Sequence, residues 1–249
     1  MTENRTGVAI VLAAGQGKRM GTKIQKQYLE LSGRPVLYYA LRSFEQSDRI
    51  SRMILVTGGG QEEYCWKEIV EKYQFKKVCA VITGGKERYH SVWNGLQEMK
   101  RQGLQDAYAF IHDGARPFVT EEIIERAYQE VIREEACAVG MPVKDTIKIV
   151  DGSQYALETP DRKYVWIIQT PQVFSFPVIY DAYQKLMEQE KENVTDDAMV
   201  VELMTKHPVK LVKGAYENIK ITTPEDLLTA ELFVQKIFHE KNGKTKNSY

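Results

Sequence analysis

The sequence predicts a three-layer α/β protein built on a mostly parallel sheet, and three observations carry that prediction. Short runs rich in Val and Ile recur along the chain as unbroken apolar stretches, the pattern of strands buried on both faces. Stretches long enough for helices separate them, so the strands pair in parallel with helices wrapped over both sides. Over 249 residues, 43% hydrophobic and 27% charged, the composition is that of an ordinary globular protein with enough apolar surface for a sizeable core.

The strand-like runs are VAIVLAA at 8–14, MILVTG at 53–58, VCAVITGG at 78–85, YAFIHDG at 108–114 and CAVGMPV at 137–143. Between the last two, Glu121 to Glu135 reads as a helix with Ile123, Ile124, Ala127 and Val131 on one face. The alternation breaks between Lys144 and Arg162, where TIKIV and YALETPDR form two extended pieces joined by an Asp-Gly turn. Spacing leaves open whether this hairpin projects as an arm or lies at the sheet edge. Beyond it, VWIIQTPQVF is extended, a helix covers about Phe176 to Lys191, and the Thr195 hydroxyl is expected to cap the next helix. ENIKITTPED is the last strand-like piece. It leads into a helix with Thr223 as N-cap, Pro224 in the first turn and Asp226 closing a capping box. With no repeat and no linker, the expected organisation is one domain over 1–238 with an arm at about 144–162, followed by a polar, frayed tail at 239–249.

Charge and cysteine content narrow the function. Lys plus Arg and Asp plus Glu both total 34, so no global field gathers nucleic acid or an anionic membrane, and neither is an expected partner. Any anion must be held by a local arrangement. Cys65, Cys79 and Cys137 have no C-x-x-C spacing and fit neither a disulfide framework nor a zinc site, which points to a reducing cytoplasm. The apolar run Val8 to Ala14 is far shorter than the roughly 20 residues of a membrane helix and follows a polar start unlike a secretion signal.

The strongest local signal is LAAGQGKRMGTKIQKQY at 12–28, directly after the first strand. Gly15 and Gly17 let the backbone turn tightly beside small Ala13 and Ala14. Lys18, Arg19, Lys23 and Lys26 then follow with no acid before Glu30. A concentrated positive loop at the carboxyl edge of a strand suits a triphosphate, although a solvated basic loop is the plainer alternative. It is not a P-loop, because Lys18 and Arg19 replace the G-K-[ST] ending, and Met20 stands where a dinucleotide fingerprint requires glycine. The fourth strand ends in IHDGARP, which places Asp113 to hold magnesium or a sugar hydroxyl; a turn-forming Asp-Gly with Arg116 as a structural partner is the alternative. His112 alternates to the other face and reads as a packed core histidine. Gly85 and Ser91 in GGKERYHS suit ribose or base contacts, and Arg162 and Lys220 form a further pair of cations.

Taken in order, GQGKRM, KQYLEL, GGKERYHSV, IHDGARPF, PVKDTIK, TPDR, QTPQVF, VTDDA and ENIKITTPEDL resemble the 2-C-methyl-D-erythritol 4-phosphate cytidylyltransferase family from about Val8 to Phe233. Each motif alone is weak, and the ordered set is specific to the wider family, which includes ribitol 5-phosphate cytidylyltransferases. The resemblance implies a Rossmann-like nucleotidyltransferase fold. It also implies a reaction in which CTP and 2-C-methyl-D-erythritol 4-phosphate give a CDP-alcohol and pyrophosphate with Mg2+, in the non-mevalonate route to isoprenoids. By motif it implies a triphosphate loop at Ala13, Ala14, Gly15 and Gly17, with Arg19 and Lys26 stabilising the transition state, and a cytidine pocket at Gly85 and Ser91. Asp113, Thr146 and Thr170 would line the acceptor site, with Arg162 and Lys220 positioning the acceptor phosphate. A homodimer clasped through the arms, with 144–162 completing the neighbour's site, is implied as well.

Three departures accompany the match. Gln25-Lys26-Gln27 replaces a common Pro-Lys-Gln, removing a rigid φ beside Lys26; Gly114 replaces a common alanine; and Lys86 stands where an acid is frequent. The chemistry fits the residue set, because a phosphate monoester is already an anionic nucleophile near neutral pH and calls for charge neutralisation rather than a strong base. Ribitol 5-phosphate as acceptor is the nearest competing reading, and a non-catalytic nucleotide-binding module is the competitor from another class. A glycosyltransferase of similar architecture is disfavoured by the lack of a D-x-D metal motif.

Overall fold

A computed structural model describes residues 5–15, 25–189 and 193–236. Gly17 and Arg19 of the basic loop, and the tail at 239–249, lie outside the described residues.

The five apolar runs are strands. β1 (Gly7–Ala13) is followed by two short pairing segments, β2 (Glu30–Leu31) and β3 (Arg34–Pro35), and by α1 (Val36–Gln46). β4 (Ile50–Thr57), α2 (Glu62–Tyr64) running into a wider helical turn at Cys65–Glu71, β5 (Val78–Thr83) and α3 (Arg88–Arg101) come next. Then follow β6 (Tyr108–Asp113), α4 (Glu121–Glu134) and β7 (Ala136–Pro142). The hairpin β8 (Ile149–Val150) and β9 (Ala156–Glu158) precedes β10 (Trp166–Ser175), α5 (Phe176–Met187), α6 (Asp197–Thr205), β11 (Lys210–Lys213) and α7 (Pro224–Val234). Seven strands form one sheet in the order β11-β7-β10-β6-β1-β4-β5. All neighbours are parallel except β10, which runs antiparallel to both β6 and β7.

The alternation of side chains along β1 explains the three layers. Val8 and Ile10 point into the cluster made with α3, α5 and α6, including Leu96, Met99, Ile179 and Val201. Ala9, Val11 and Ala13 point into the opposite cluster, where Leu37, Leu41 and Phe44 of α1 meet Ile124 and Val131 of α4 and Val234 of α7. A strand with both faces buried has no polar register, which is why these runs read as unbroken.

The β8–β9 hairpin pairs only with itself and leaves Ile149, Val150, Tyr155 and Leu157 exposed. Of the two placements open from sequence, it is the one outside the main sheet. Two other expectations are corrected. ENIKITTPED is not a strand: Ile221 N–H bonds to Ala115 O, and Thr222 N–H and Thr223 N–H both bond to the Asp226 carboxylate, so its backbone is satisfied by a loop and a helix cap instead of a ladder. The last strand is β11, earlier in the chain. The cap of α6 is Asp196, whose side chain accepts from Met199 N–H, whereas the Thr195 hydroxyl faces the Met199 sulfur. The capping box of Thr223 and Asp226 forms as expected.

Candidate active site

Strand order reverses beside β1, because β4 and β5 extend the sheet to one side while α3 carries the chain back to β6 on the other. Open α/β sheets bind ligands at such a switch point, outside the carboxyl ends of the strands. A cavity of about 660 Å³ opens there, lined by Ala14 and Gly15 after β1, Lys26, Gly85 and Ser91 after β5, Asp113 at the end of β6, and Lys220. A smaller cavity of about 300 Å³ adjoins it, lined by Thr170, Gln169, Arg116 and Thr195. Arg88, Asp113 and Lys220 line both.

The larger cavity is shaped by backbone. Gln27, 2% exposed, sits in the helical turn Lys26–Tyr28 and donates its amide to Ala13 O and Gly15 O. That tie fixes the chain leaving β1 and aims neighbouring Lys26 at the cavity. Ala13 itself is buried and holds the loop through its carbonyl, while Ala14 and Gly15 form the wall. Opposite, Gly85 N–H donates to Ser91 Oγ, and Ser91 Oγ donates to Glu87 O. A Cβ on Gly84 would stand 2.6 Å from Ala14 Cβ, so glycine there allows the two walls to approach this closely, and one on Gly85 would stand 2.2 Å from His90 Cβ, so glycine there lets the loop fold onto the start of α3.

Asp113 is the electrostatic centre. Lys220 Nζ lies 2.8 Å from Oδ2, Arg88 Nε 3.2 Å from Oδ1 and Arg116 Nε 3.7 Å from Oδ2. Burial alone would raise the carboxyl pKa, but these three cations hold it far below the usual carboxylate range. The Asp113 backbone N–H donates to Thr170 Oγ1, and Thr170 Oγ1 lies 3.0 Å from His112 Nδ1. His112 is fully buried, with Nε2 3.0 Å from Arg116 O, and burial pushes its imidazole down to about 4. It is a packed histidine, as its alternation suggested.

The expected residues are therefore brought together in part. Ala14, Gly15, Lys26, Gly85, Ser91, Asp113, Thr170 and Lys220 converge on the two cavities. Arg162 and Thr146 do not: both are exposed on the arm, Arg162 donates to Lys144 O, and neither lines either of these two cavities. The sequence reading missed Gln27, Arg88 and Thr195, although all three stand inside motifs it singled out.

Magnesium at Asp113 does not fit the residues present. Both carboxylate oxygens are engaged by cations, and a dication would meet like charge at three sides. Among the described residues no three His, Cys, Asp or Glu side chains group as a metal site.

The family model for 2-C-methyl-D-erythritol 4-phosphate cytidylyltransferase matches residues 8–236. The chain belongs to that family. It is 51% identical to the 2-C-methyl-D-erythritol 4-phosphate cytidylyltransferase of Lachnospira eligens over 91% of this chain and 98% of that one, and 46% identical to the enzyme of Caldanaerobacter subterraneus over 92% and 98%. The crystal structure of 4-diphosphocytidyl-2C-methyl-D-erythritol synthase from Anaerococcus prevotii is similar with a TM-score of 0.81 at 36% identity, covering 93% of this chain and 97% of that one. The fold is thus shared with a structure of that name, and the expected nucleotidyltransferase architecture holds.

Proposed function

We propose that this chain transfers the cytidylyl group of CTP to 2-C-methyl-D-erythritol 4-phosphate, giving 4-diphosphocytidyl-2-C-methyl-D-erythritol and pyrophosphate in non-mevalonate isoprenoid biosynthesis. The observation that carries the reading is the pair of adjoining cavities that share Arg88, Asp113 and Lys220. The larger one has the glycine-walled, amide-rich form that suits a nucleoside triphosphate, and the smaller has polar groups for a short polyol phosphate. Relatives carry the name of the methylerythritol enzyme throughout, which supports that acceptor over ribitol 5-phosphate and an enzyme over a non-catalytic binding module.

In this reading the triphosphate lies against Ala14 and Gly15, with the base against the wall that Gly85 and Ser91 form. An oxygen of the acceptor phosphate forms a bond to the α-phosphorus as the bond to pyrophosphate breaks, and no proton has to move, because the nucleophile is already an anion. Lys26 and Arg19 offset the charge that builds on the α-phosphate and the leaving group. Lys220 and Arg162 grip the attacking phosphate, and Asp113 and Thr170 orient the polyol. Magnesium enters this scheme as the counterion carried by the triphosphate, a common mode for an ion held mainly by substrate oxygens and water.

The position of Arg162 on an exposed arm supports a homodimer in which each arm reaches the other subunit's site, covering Ile149, Val150, Tyr155 and Leu157. No helix among the described residues is long and apolar enough to cross a membrane, and a reducing cytoplasm is the proposed compartment. Pyrophosphate release in parallel mixtures of CTP with methylerythritol 4-phosphate or ribitol 5-phosphate tests the function. Release with the first and little with the second is expected; the reverse order overturns the acceptor assignment.

A further inference from the structure

Arg88 opens α3 and lines both cavities, yet its guanidinium is held from behind. NH1 and NH2 donate to Asp197 Oδ1 and Oδ2 at 2.9 and 2.7 Å, while Nε donates to Asp113 Oδ1 at 3.2 Å. Asp197 is fully buried and fixed from several sides. Its Oδ1 also accepts from the Tyr183 hydroxyl, which is itself buried, and its backbone N–H donates to Gln172 Oε1. One end of the planar fork is thus locked to an immobile carboxylate, and the other presents a single N–H to one oxygen of Asp113, leaving the second oxygen to Lys220 and, at 3.7 Å, Arg116.

We propose that Tyr183, Asp197 and Arg88 form a positioning relay that sets the orientation of Asp113, and through it Lys220, at the junction of the two cavities, so that the buried Asp197 and Tyr183 act on binding of the acceptor through Arg88. The inference rests on the reading that Asp113 and Lys220 face the acceptor. A buried ion pair is weak evidence for fold stability, since apolar replacements of equal volume often do as well. A chain of buried charges that ends on a cavity wall has its rationale in the wall. Burial would lower the affinity of Arg88 for its proton, but Asp197 and Asp113 more than offset this and keep it charged.

Steady-state pyrophosphate release, with CTP and methylerythritol 4-phosphate each varied against saturating partner, tests the relay in Asp113→Asn, Arg88→Lys, Asp197→Asn and Tyr183→Phe. Loss of an outer-shell partner typically changes affinity or activity by roughly 10- to 100-fold. Arg88→Lys and Asp197→Asn should therefore raise the acceptor KM by about tenfold or more and the CTP KM by under about threefold. Tyr183→Phe, which removes one hydroxyl and keeps the ring, should move the acceptor KM in the same direction by a smaller factor. A purely structural role would lower the melting temperature without separating the two substrates, so folded variants with equal or no changes in both KM values overturn the proposal. If Asp197→Asn does not fold, Tyr183→Phe and Arg88→Lys decide by the same split. An effect of Asp113→Asn on the acceptor without one from Arg88→Lys sinks the relay and leaves the acceptor reading standing; no effect from Asp113→Asn sinks both.

Discussion

His112 gives the active-site wall a defined acid sensitivity. Asp113 N–H donates to Thr170 Oγ1, so the Thr170 hydroxyl proton is available to His112 Nδ1, and Nε2–H of the neutral ring then meets Arg116 O. Every member is satisfied with the imidazole neutral, and the ring is closed to water, so a charged imidazolium would have no solvent to replace its hydration. Burial of the ring, which disfavours its charged form, lowers the folded pKa to about 4, against about 6.5 in an unfolded chain. The sign follows directly. Above pH 6.5 both states are neutral at this residue and stability is unaffected. Between 6.5 and about 4 the unfolded state takes up a proton that the folded state refuses, so stability falls as pH falls. At 1.36 kcal/mol per pH unit the gap corresponds to about 3 kcal/mol, or a loss of roughly 6–12 °C in melting temperature for a domain of this size. Asp113 adds nothing in that window, because its own depressed pKa releases stability only below about pH 4. The assay is urea or thermal unfolding at intervals from pH 7.5 to 4, for the native chain and His112→Gln. The variant should be less stable at pH 7.5 and should lose most of the slope between 6.5 and 4. A native chain with no slope there, or a variant with the same slope, refutes the protonation scheme.

Four further outcomes follow from the same geometry. Lys26→Ala should reduce turnover by roughly 10²- to 10³-fold with an unchanged melting profile, by analogy with loss of a preorganised oxyanion donor; near-normal turnover removes Lys26 from the transition state. Arg162→Ala should raise the KM of the acceptor phosphate more than that of CTP, and an equal rise in both contradicts its grip on the acceptor. Gly85→Ala drives a Cβ onto His90 and should weaken CTP binding by roughly 10- to 100-fold in calorimetry, the scale of a displaced binding wall; binding within twofold of the native chain shows that the wall can yield. Deleting 144–162 should convert a dimer to a monomer in sedimentation, and an unaltered sedimentation coefficient per mass locates the subunit contact elsewhere.

What the sequence makes legible, and what it hides, divides along the range of the forces involved. Strands buried on both faces announce themselves locally, so β1, β4, β6 and β7 stand within a few residues of the apolar runs, and β5, although an edge strand, is longer than β11 and keeps an apolar run of its own. β11 escapes because it is an edge strand of four residues bounded by Lys210 and Lys213, with only Val212 buried. Conversely Ile219, Ile221 and Thr222 have the β-branched look of a strand, while their backbone partners are a loop carbonyl and the Asp226 carboxylate, which no propensity registers. The same division governs the site. Gly85, Ser91 and Lys26 were readable because each acts through its own loop. Arg88 was not, although it stands three residues from Gly85, because its meaning lies in a carboxylate 109 residues away. A neutral composition hides this in a second way: equal totals of acid and base exclude a global field, yet Arg88, Arg116 and Lys220 still gather around a single Asp113. Asp113 and Asp197 offset part of that charge on the spot, while carboxylates farther off on the surface are too distant and too well screened to offset the rest. A net charge of zero is therefore compatible with a local gathering of cations at the cavity junction, provided the fold, rather than the composition, does the concentrating.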